Sequence, residues 1–207
     1  MSFVTDIKRR VRQGSALFQV FVDGAYRFTL SDLDLSMSGI RVGTELSEAQ
    51  IHEYEGQANE AKAYALAVRY VGLRLRTCQE LTDYLRRKEC EAEEIETVLE
   101  RLEGLGLVDD ERFAQAWISD RMKFRVRSRM RLSQELTAKG VDRGIIARVL
   151  EQQLEPENEL GALVDLVITK RSQSAYREEK KLVGYLQRQG YRWGLIKAAL
   201  EKAQEIS

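Results

Sequence analysis

The sequence predicts a mainly α protein: a tandem array of three three-helix repeats behind a small N-terminal β-hairpin module. Three observations predict it. Proline, which breaks helices, occurs once in 207 residues, at Pro156. From about residue 60 onward the apolar residues fall at helical spacing; Ile95, Val98, Leu99 and Leu102 sit at i, i+3, i+4 and i+7. The pattern also recurs. Leu81, Leu85, Ile95, Val98 and Leu99 are answered 51 residues later by Leu132, Leu136, Ile146, Val149 and Leu150, and 50 residues after that by Leu182, Leu186, Ile196, Ala199 and Leu200. A fixed period of about 50 residues marks an array whose units cannot bury their apolar faces alone.

The N-terminal module comes first. Phe18–Val22 and Tyr26–Leu30 are rich in β-branched and aromatic residues, and Asp23-Gly24 between them supplies the positive φ angles of a tight hairpin. Val4 to Val11 adds a third candidate strand. Gly39 and Gly43 punctuate a loop, and Ser47-Glu48 reads as a helix start running toward Gln57. An isolated hairpin is marginal in water, so this module must lean on the helices that follow. The repeats are then expected as helices near 60–72, 77–89 and 91–104; 109–125, 128–139 and 142–154; and 157–172, 176–189 and 192–204. In the second and third repeats Phe113, Ala116 and Trp117 match Leu163, Leu166 and Val167. The expected domains are 1–57, 58–106, 107–156 and 157–207. The second helix of each repeat ends in a short turn: Lys88-Glu89-Cys90, Lys139-Gly140-Val141 and Gln189-Gly190-Tyr191. Gly140 and Gly190 suit the left-handed residue that closes a helix. Glu89 does not, and strain or a different cap is expected there.

Composition narrows the function classes. With 43% hydrophobic and 32% charged residues the chain reads as soluble and globular, and no apolar run approaches the ~18 residues of a membrane helix. The residues from Met1 to Val11 are charged, unlike a signal peptide, so a cytoplasmic location is expected. Cys78 and Cys90 are too few for a disulfide framework and lack zinc spacing. His52 is the only histidine, and no Gly-rich phosphate loop is present. No catalytic triad or histidine metal set can be assembled, so the chain is expected to be no enzyme and to need no cofactor. Asp109, Asp110 and Glu111 at a helix start read as capping and dipole-complementing residues rather than as a metal site, and Asp109 and Asp110 are the expected caps.

The net charge is zero, but it is unevenly distributed. Residues 58–118 carry 9 basic and 13 acidic side chains, whereas residues 119–156 carry 9 and 5. Within the basic stretch, Arg121, Lys123, Arg125, Arg127, Arg129 and Arg131 crowd into eleven residues with no acid among them. Packed cations repel one another unless an anion neutralises them, which points to phosphate contact. Phe124 among them is a candidate for stacking on a base. The other reading is a solvated basic turn, or arginines paired with the acidic stretch from Glu89 to Glu111. Arg125, Arg127 and Arg129 fall at the turn between two helices and are expected to be exposed. A second basic group includes Lys170, Arg171, Arg177, Lys180, Lys181 and Arg188; interleaved with Glu178 and Glu179, it reads first as a solvated helix face. Trp117 reads as core packing.

Thr77-Cys-Gln-Glu-Leu81 through Lys88, Ile95 through Leu99, and above all Gly106-Leu-Val-Asp-Asp-Glu-Arg-Phe-Ala114 with Trp117, resemble the signature of the RecX family. Gln134-Glu-Leu136 with Lys139-Gly140-Val141-Asp142 continues the likeness, which covers roughly residues 60–204. Glu89 and Ser128 stand where the family commonly has glycine. The resemblance implies three three-helix units, no catalysis, and a regulator, mostly an inhibitor, of the RecA filament on single-stranded DNA, acting as a monomer in recombination and SOS-type DNA repair. The alternative is a helix-turn-helix-like protein acting directly on duplex DNA. The acidic helix Glu91–Leu102 argues against it, because it would approach a phosphate-lined groove.

Overall fold

The structure, a computed structural model, describes residues 1–12, 15–124 and 127–206. The chain packs as two compact units, Met1–Gly72 with Tyr84–Leu102, and Leu73–Asp83 with Glu103–Ser207.

The first unit opens with strands β1 (Ser2–Arg12), β2 (Ser15–Val22) and β3 (Ala25–Ser31), helix α1 (Asp32–Ser38), strand β4 (Glu45–Leu46) and helix α2 (Glu48–Val71). The antiparallel sheet has the order β3-β2-β1-β4. Asp23 at φ 49° and Gly24 at φ 82° make the tight β2–β3 turn. The third strand is therefore present. The expected loop around Gly39 and Gly43 is preceded by α1, capped by the Ser31 hydroxyl, and followed by β4.

One face of the sheet is buried. Val4, Val20, Val22, Phe28 and Leu30 pack with Ile51 of α2. Tyr54 stacks on Phe28 with ring centroids 5.3 Å apart, and Arg27 is 2.7 Å from Glu55. Ser47 and Gln50 start α2 with a reciprocal capping box. The helix does not stop near Gln57. It runs 24 residues without a break, because no proline or strong turn signal interrupts its alanine-rich sequence. The expected boundary between residues 57 and 58 thus lies inside one helix, which carries both the sheet cover and the first helix of repeat one. Tyr70 of this helix stacks on Tyr84 at 4.0 Å, and Arg101 lies 4.1 Å above Tyr64.

Helices α3 (Cys78–Arg86) and α4 (Ala92–Gly104) complete repeat one and carry residues of both units. The second unit continues with α5 (Asp110–Phe124), α6 (Arg129–Ala138) and α7 (Arg143–Gln153), then α8 (Pro156–Arg171), α9 (Glu179–Arg188) and α10 (Trp193–Ile206). Helix α9 begins later than expected, because a 3-10 turn occupies Ser174–Tyr176.

Phe113, Ala114, Ile118, Leu132, Leu136, Ile146, Val149 and Leu150 form the core of repeat two. Leu163, Val167, Leu182, Leu186, Tyr191, Ile196, Ala199 and Leu200 form a separate core in repeat three. Ala116 is exposed, and Ala114 and Ile118 take the buried places on α5. The phase expected from Phe113 was right, but the stripe turns to the next residues along.

Glu89 has φ 61°, matching Gly140 at 81° and Gly190 at 87°. All three turns close with the same bonds. The amide of the following residue returns to Leu85, Leu136 or Leu186 at 3.1–3.2 Å. Glu89 thus adopts the same left-handed cap rather than a different one.

Candidate nucleic-acid and partner interface

The basic stretch is organised by an acid that lies outside it. Trp117, half-buried on α5 against Phe113, donates its indole N–H to Glu135 Oε2 at 3.1 Å. Arg121 Nε donates to the same oxygen at 3.1 Å, and its guanidinium lies 4.1 Å from the Trp117 ring centroid. Arg127 Nε and Arg131 Nε each stand 3.8 Å from the other oxygen, Oε1. Three guanidiniums share the Glu135 carboxylate, Arg121 also pairing with Asp120 at 3.4 Å, so three cations among the described residues face two carboxylates and an excess of positive charge remains. The internal partners of these arginines are Glu135, one helical turn beyond Arg131, and, for Arg121, the adjacent Asp120; neither belongs to the acidic stretch Glu89–Glu111.

A second ion-pair group lies in the same unit. Lys139 Nζ is 2.8 Å from Glu80 Oε1 and 5.5 Å from the Trp117 centroid. Arg74 and Arg76 approach the same carboxylate at 3.2 and 3.9 Å. Burial works against the ionised form of Glu80, but hydrogen bonds from Lys139 and Arg74 outweigh it and hold the carboxyl below its ordinary range.

The predicted site residues have different surroundings. Arg121 and Arg131 belong to the Glu135 cluster, and Lys123 is exposed in the last turn of α5. Arg125 and the side chain of Phe124 lie outside the described residues. Arg127 and Arg129 are not the freely exposed turn residues expected. Arg127 is part-buried beside Glu135. Arg129 donates from its guanidinium to the Leu154 carbonyl at 2.8 Å, and its amide meets Glu159 at 3.3 Å. The reason is local: carbonyls at a helix C-terminus need donors, and the end of α7 finds one in Arg129.

In repeat three, Lys170 Nζ sits 5.3 and 5.2 Å from the rings of Tyr176 and Tyr185. Arg171 is 3.7 Å from Glu179 and Lys181 is 2.9 Å from Glu178, while Lys180 is exposed.

Asp109 accepts from the Arg112 amide at 2.9 Å and so caps α5. Asp110 does not cap its own helix. Its carboxylate accepts from the Cys78 amide at 2.9 Å, at the start of α3. Burial raises its pKa, and the Cys78 amide opposes that rise. Glu111 pairs with Arg148 at 2.7 Å. Among the described residues no group of three or more His, Cys, Asp or Glu side chains is placed to hold a metal. No helix among them is long and apolar enough to cross a membrane. Burial pushes the Cys78 thiol up, and its hydrogen bond to Glu103 adds to this.

Sequence reasoning missed two features. Glu135 is flanked by uncharged residues, and only its i,i+4 spacing from Arg131 signals a pairing; nothing near it in sequence gives a signal of Arg121 or Trp117. The hydroxyls of Thr77 and Ser128 do give one, since they are 51 residues apart, in phase with the repeat. Each is buried, caps its helix, and donates to a carbonyl of the next repeat: Thr77 to Lys139 at 2.7 Å and Ser128 to Gln189 at 2.6 Å. Asp110 on the Cys78 amide has its counterpart in Glu159 on the Arg129 amide. The second helices of repeats one and two, α3 and α6, are thus each docked at their N-terminus onto the following repeat by two polar bonds.

Comparison with known proteins matches these repeats. The family model for the first three-helix domain of RecX covers residues 63–102, and that for the second covers residues 109–150. The chain is 30% identical to the regulatory protein RecX of Bacillus pumilus over 99% of its own length and 79% of the relative's. It is 31% identical to that of Caldanaerobacter subterraneus over 91% and 94%. Among solved structures, a crystal structure of regulatory protein RecX aligns with a TM-score of 0.75 at 24% identity, covering 97% of this chain and all of that one. RecX from Lactobacillus salivarius aligns with a TM-score of 0.65 at 21% identity, covering 70% of this chain and 97% of that one.

Proposed function

Because the chain belongs to the RecX family, we propose that it is a non-enzymatic regulator of RecA recombinase, binding the RecA–single-stranded DNA filament as a cytoplasmic monomer. Its expected effect is mostly inhibitory, restraining strand exchange and SOS-type signalling. The observation that carries this reading is the charge imbalance at Glu135, where Arg121, Arg127 and Arg131 share one carboxylate. The uncompensated charge suits an anionic partner, and each phosphate neutralised releases counterions. Arg121, Lys123 and Arg131 are the contacts we assign first, together with Arg125 of the same basic run in sequence and Lys180 in the third repeat. Arg127, the least exposed of the three arginines at Glu135, and Arg129, bonded to the Leu154 carbonyl, serve binding by holding the turn. Lys170, Arg171 and Lys181 also have neighbours within their own repeat and come second.

The test is a RecA ATPase assay on single-stranded DNA with this protein titrated in. A dose-dependent fall in ATP turnover is expected. An unchanged rate at saturating protein, with intact filaments, overturns the reading. The double variant Lys123→Ala/Arg131→Ala should shift the titration to higher concentration.

A further inference from the structure

The N-terminal sheet buries one face under α2, and among the described residues of its own unit no element covers the other. On the open face the strands place a compact set of side chains together. Lys8 stands opposite Gln19 in the β1–β2 register, and Gln19 stands opposite Thr29 in β2–β3. Lys8 Nζ lies 4.6 Å from the centroid of Phe21. Tyr26 meets Phe21 edge-on at 6.0 Å, and its hydroxyl bonds Thr29 Oγ1 at 3.0 Å. Arg10 Nε donates to Gln19 Oε1 at 3.2 Å. Tyr26 is 51% exposed although it is a large aromatic side chain.

A purely structural role accounts poorly for this group. The sheet core is on the opposite face, so Tyr26 and Phe21 add little to it. The β1 segment from Asp6 to Arg12 carries Lys8, Arg9, Arg10 and Arg12 against Asp6 alone, which pairs with Lys8 at 3.5 Å. Beyond Phe3, β1 has no partner strand on its second edge among the described residues. An exposed ring, Tyr26, set against the half-buried Phe21 and flanked by cations and amide or hydroxyl groups is the kind of surface on which unpaired bases stack while phosphates are neutralised alongside. An apolar protein partner would not be served by the cations, and duplex DNA offers no exposed base faces.

We propose that the open face of the N-terminal sheet, centred on Phe21 and Tyr26 with Lys8 and Arg10, is a stacking platform for single-stranded nucleic acid, separate from the basic cluster at Glu135. Choosing single-stranded DNA as its occupant rests on the filament reading above.

The test uses the full chain, fluorescence anisotropy with labelled oligo(dT), and a duplex of equal length. Tyr26→Ala should weaken oligo(dT) binding by at least about fivefold, the low end for one aromatic–base stack. Tyr26→Phe should bind as wild type, because the ring is kept. Lys8→Gln/Arg10→Gln should make the log–log salt slope shallower by roughly 1.4, at ~0.7 per phosphate contact. Duplex binding should not change in Tyr26→Ala. Circular dichroism checks that each variant folds; Tyr26→Phe and the Lys8/Arg10 pair keep the test open if Tyr26→Ala does not. If Tyr26→Ala and the Lys8/Arg10 pair both bind oligo(dT) like wild type while Lys123→Ala/Arg131→Ala does not, the platform is overturned and the filament reading stands. If the sheet variants lose binding and the Lys123/Arg131 variant keeps it, the platform stands and the repeat-two site fails. Equal loss on duplex by Tyr26→Ala also overturns the stacking role.

Discussion

Ser128 Oγ donates to the carbonyl of Gln189 at 2.6 Å, and Thr77 Oγ1 donates to the carbonyl of Lys139 at 2.7 Å, the same bond one repeat apart. Each hydroxyl also accepts the amide three residues on, Glu80 for Thr77 and Arg131 for Ser128. A single buried oxygen thus caps one helix and holds the end of another. Among the described residues the bond has no counterpart in repeat three. Glu178 occupies the cap position of α9 and makes no side-chain cap bond.

Removing that oxygen should therefore cost more than an ordinary cap. Ser128→Ala leaves the Arg131 amide and the Gln189 carbonyl without their partner in a buried place. The expected loss is ~2–3 kcal/mol, above the ~1 of a typical cap. Thr77→Ala should behave alike, and Thr77→Ser should be nearly neutral. Denaturant unfolding of the full chain reads all three.

The three left-handed turns should respond differently to substitution. A Cβ on Gly190 would stand 2.6 Å from Met130 Cε and 2.8 Å from Ser128 Oγ, and one on Gly140 would collide with Gln79. Gly140→Ala and Gly190→Ala should each cost at least ~2 kcal/mol, combining backbone strain with overpacking. Glu89 has the same backbone but an exposed side chain. Glu89→Gly should stabilise the chain by ~0.5–1 kcal/mol. A loss of stability in Glu89→Gly would show that its side chain has an unseen role.

Glu135 links the fold to the charge of the site. Glu135→Gln keeps an acceptor for Trp117 and Arg121 but removes the negative charge facing three arginines. Melting temperature should fall, since the paired cations lose their carboxylate. Single-stranded DNA binding should tighten, because one more positive charge is uncompensated, and the salt slope should steepen. Weaker binding in a folded Glu135→Gln variant would place the anion contact elsewhere.

Acid should weaken the Glu80 cluster. The folded-state pKa of Glu80 lies below its ordinary value, so the folded protein binds this proton less readily than the unfolded chain. Its contribution is present at neutral pH, above the ordinary Glu value of about 4.3, and is lost as pH falls through the lower folded-state value. Asp110, with its pKa raised by burial, acts in the opposite sense: its contribution is present in acid and is lost as pH rises through its folded-state value. Glu80→Gln should therefore lower stability at pH 7 and flatten its decline below about pH 4. Urea midpoints across pH 2.5–7 decide this; an unchanged acid limb excludes the cluster as its source.

The sequence by itself determined the repeats. Leu132, Leu136, Ile146 and Leu150 and their partners 50 residues on are buried as their spacing requires, because helical periodicity is a local property of the chain. It also determined the Asp23-Gly24 hairpin turn and the closing glycines Gly140 and Gly190, since positive φ excludes most other residues. It did not show that α2 runs unbroken from the sheet into the first repeat, since both halves of that helix are helical when read alone. Only the tertiary structure decided which charges meet. Arg121, Arg127 and Arg131 look like one repelling run in sequence, yet Glu135 gathers them because Arg121 on α5 and Arg127 ahead of α6 meet the carboxylate that Arg131 already faces on α6. Arg129 and Asp110 likewise serve the ends of other helices. Apart from Arg131–Glu135, a local pair one turn apart on α6, these ion pairs and inter-repeat hydrogen bonds act over a few ångströms between residues 8 to 62 positions apart. Nothing in the local pattern of the chain encodes that proximity; the packing of the helices creates it.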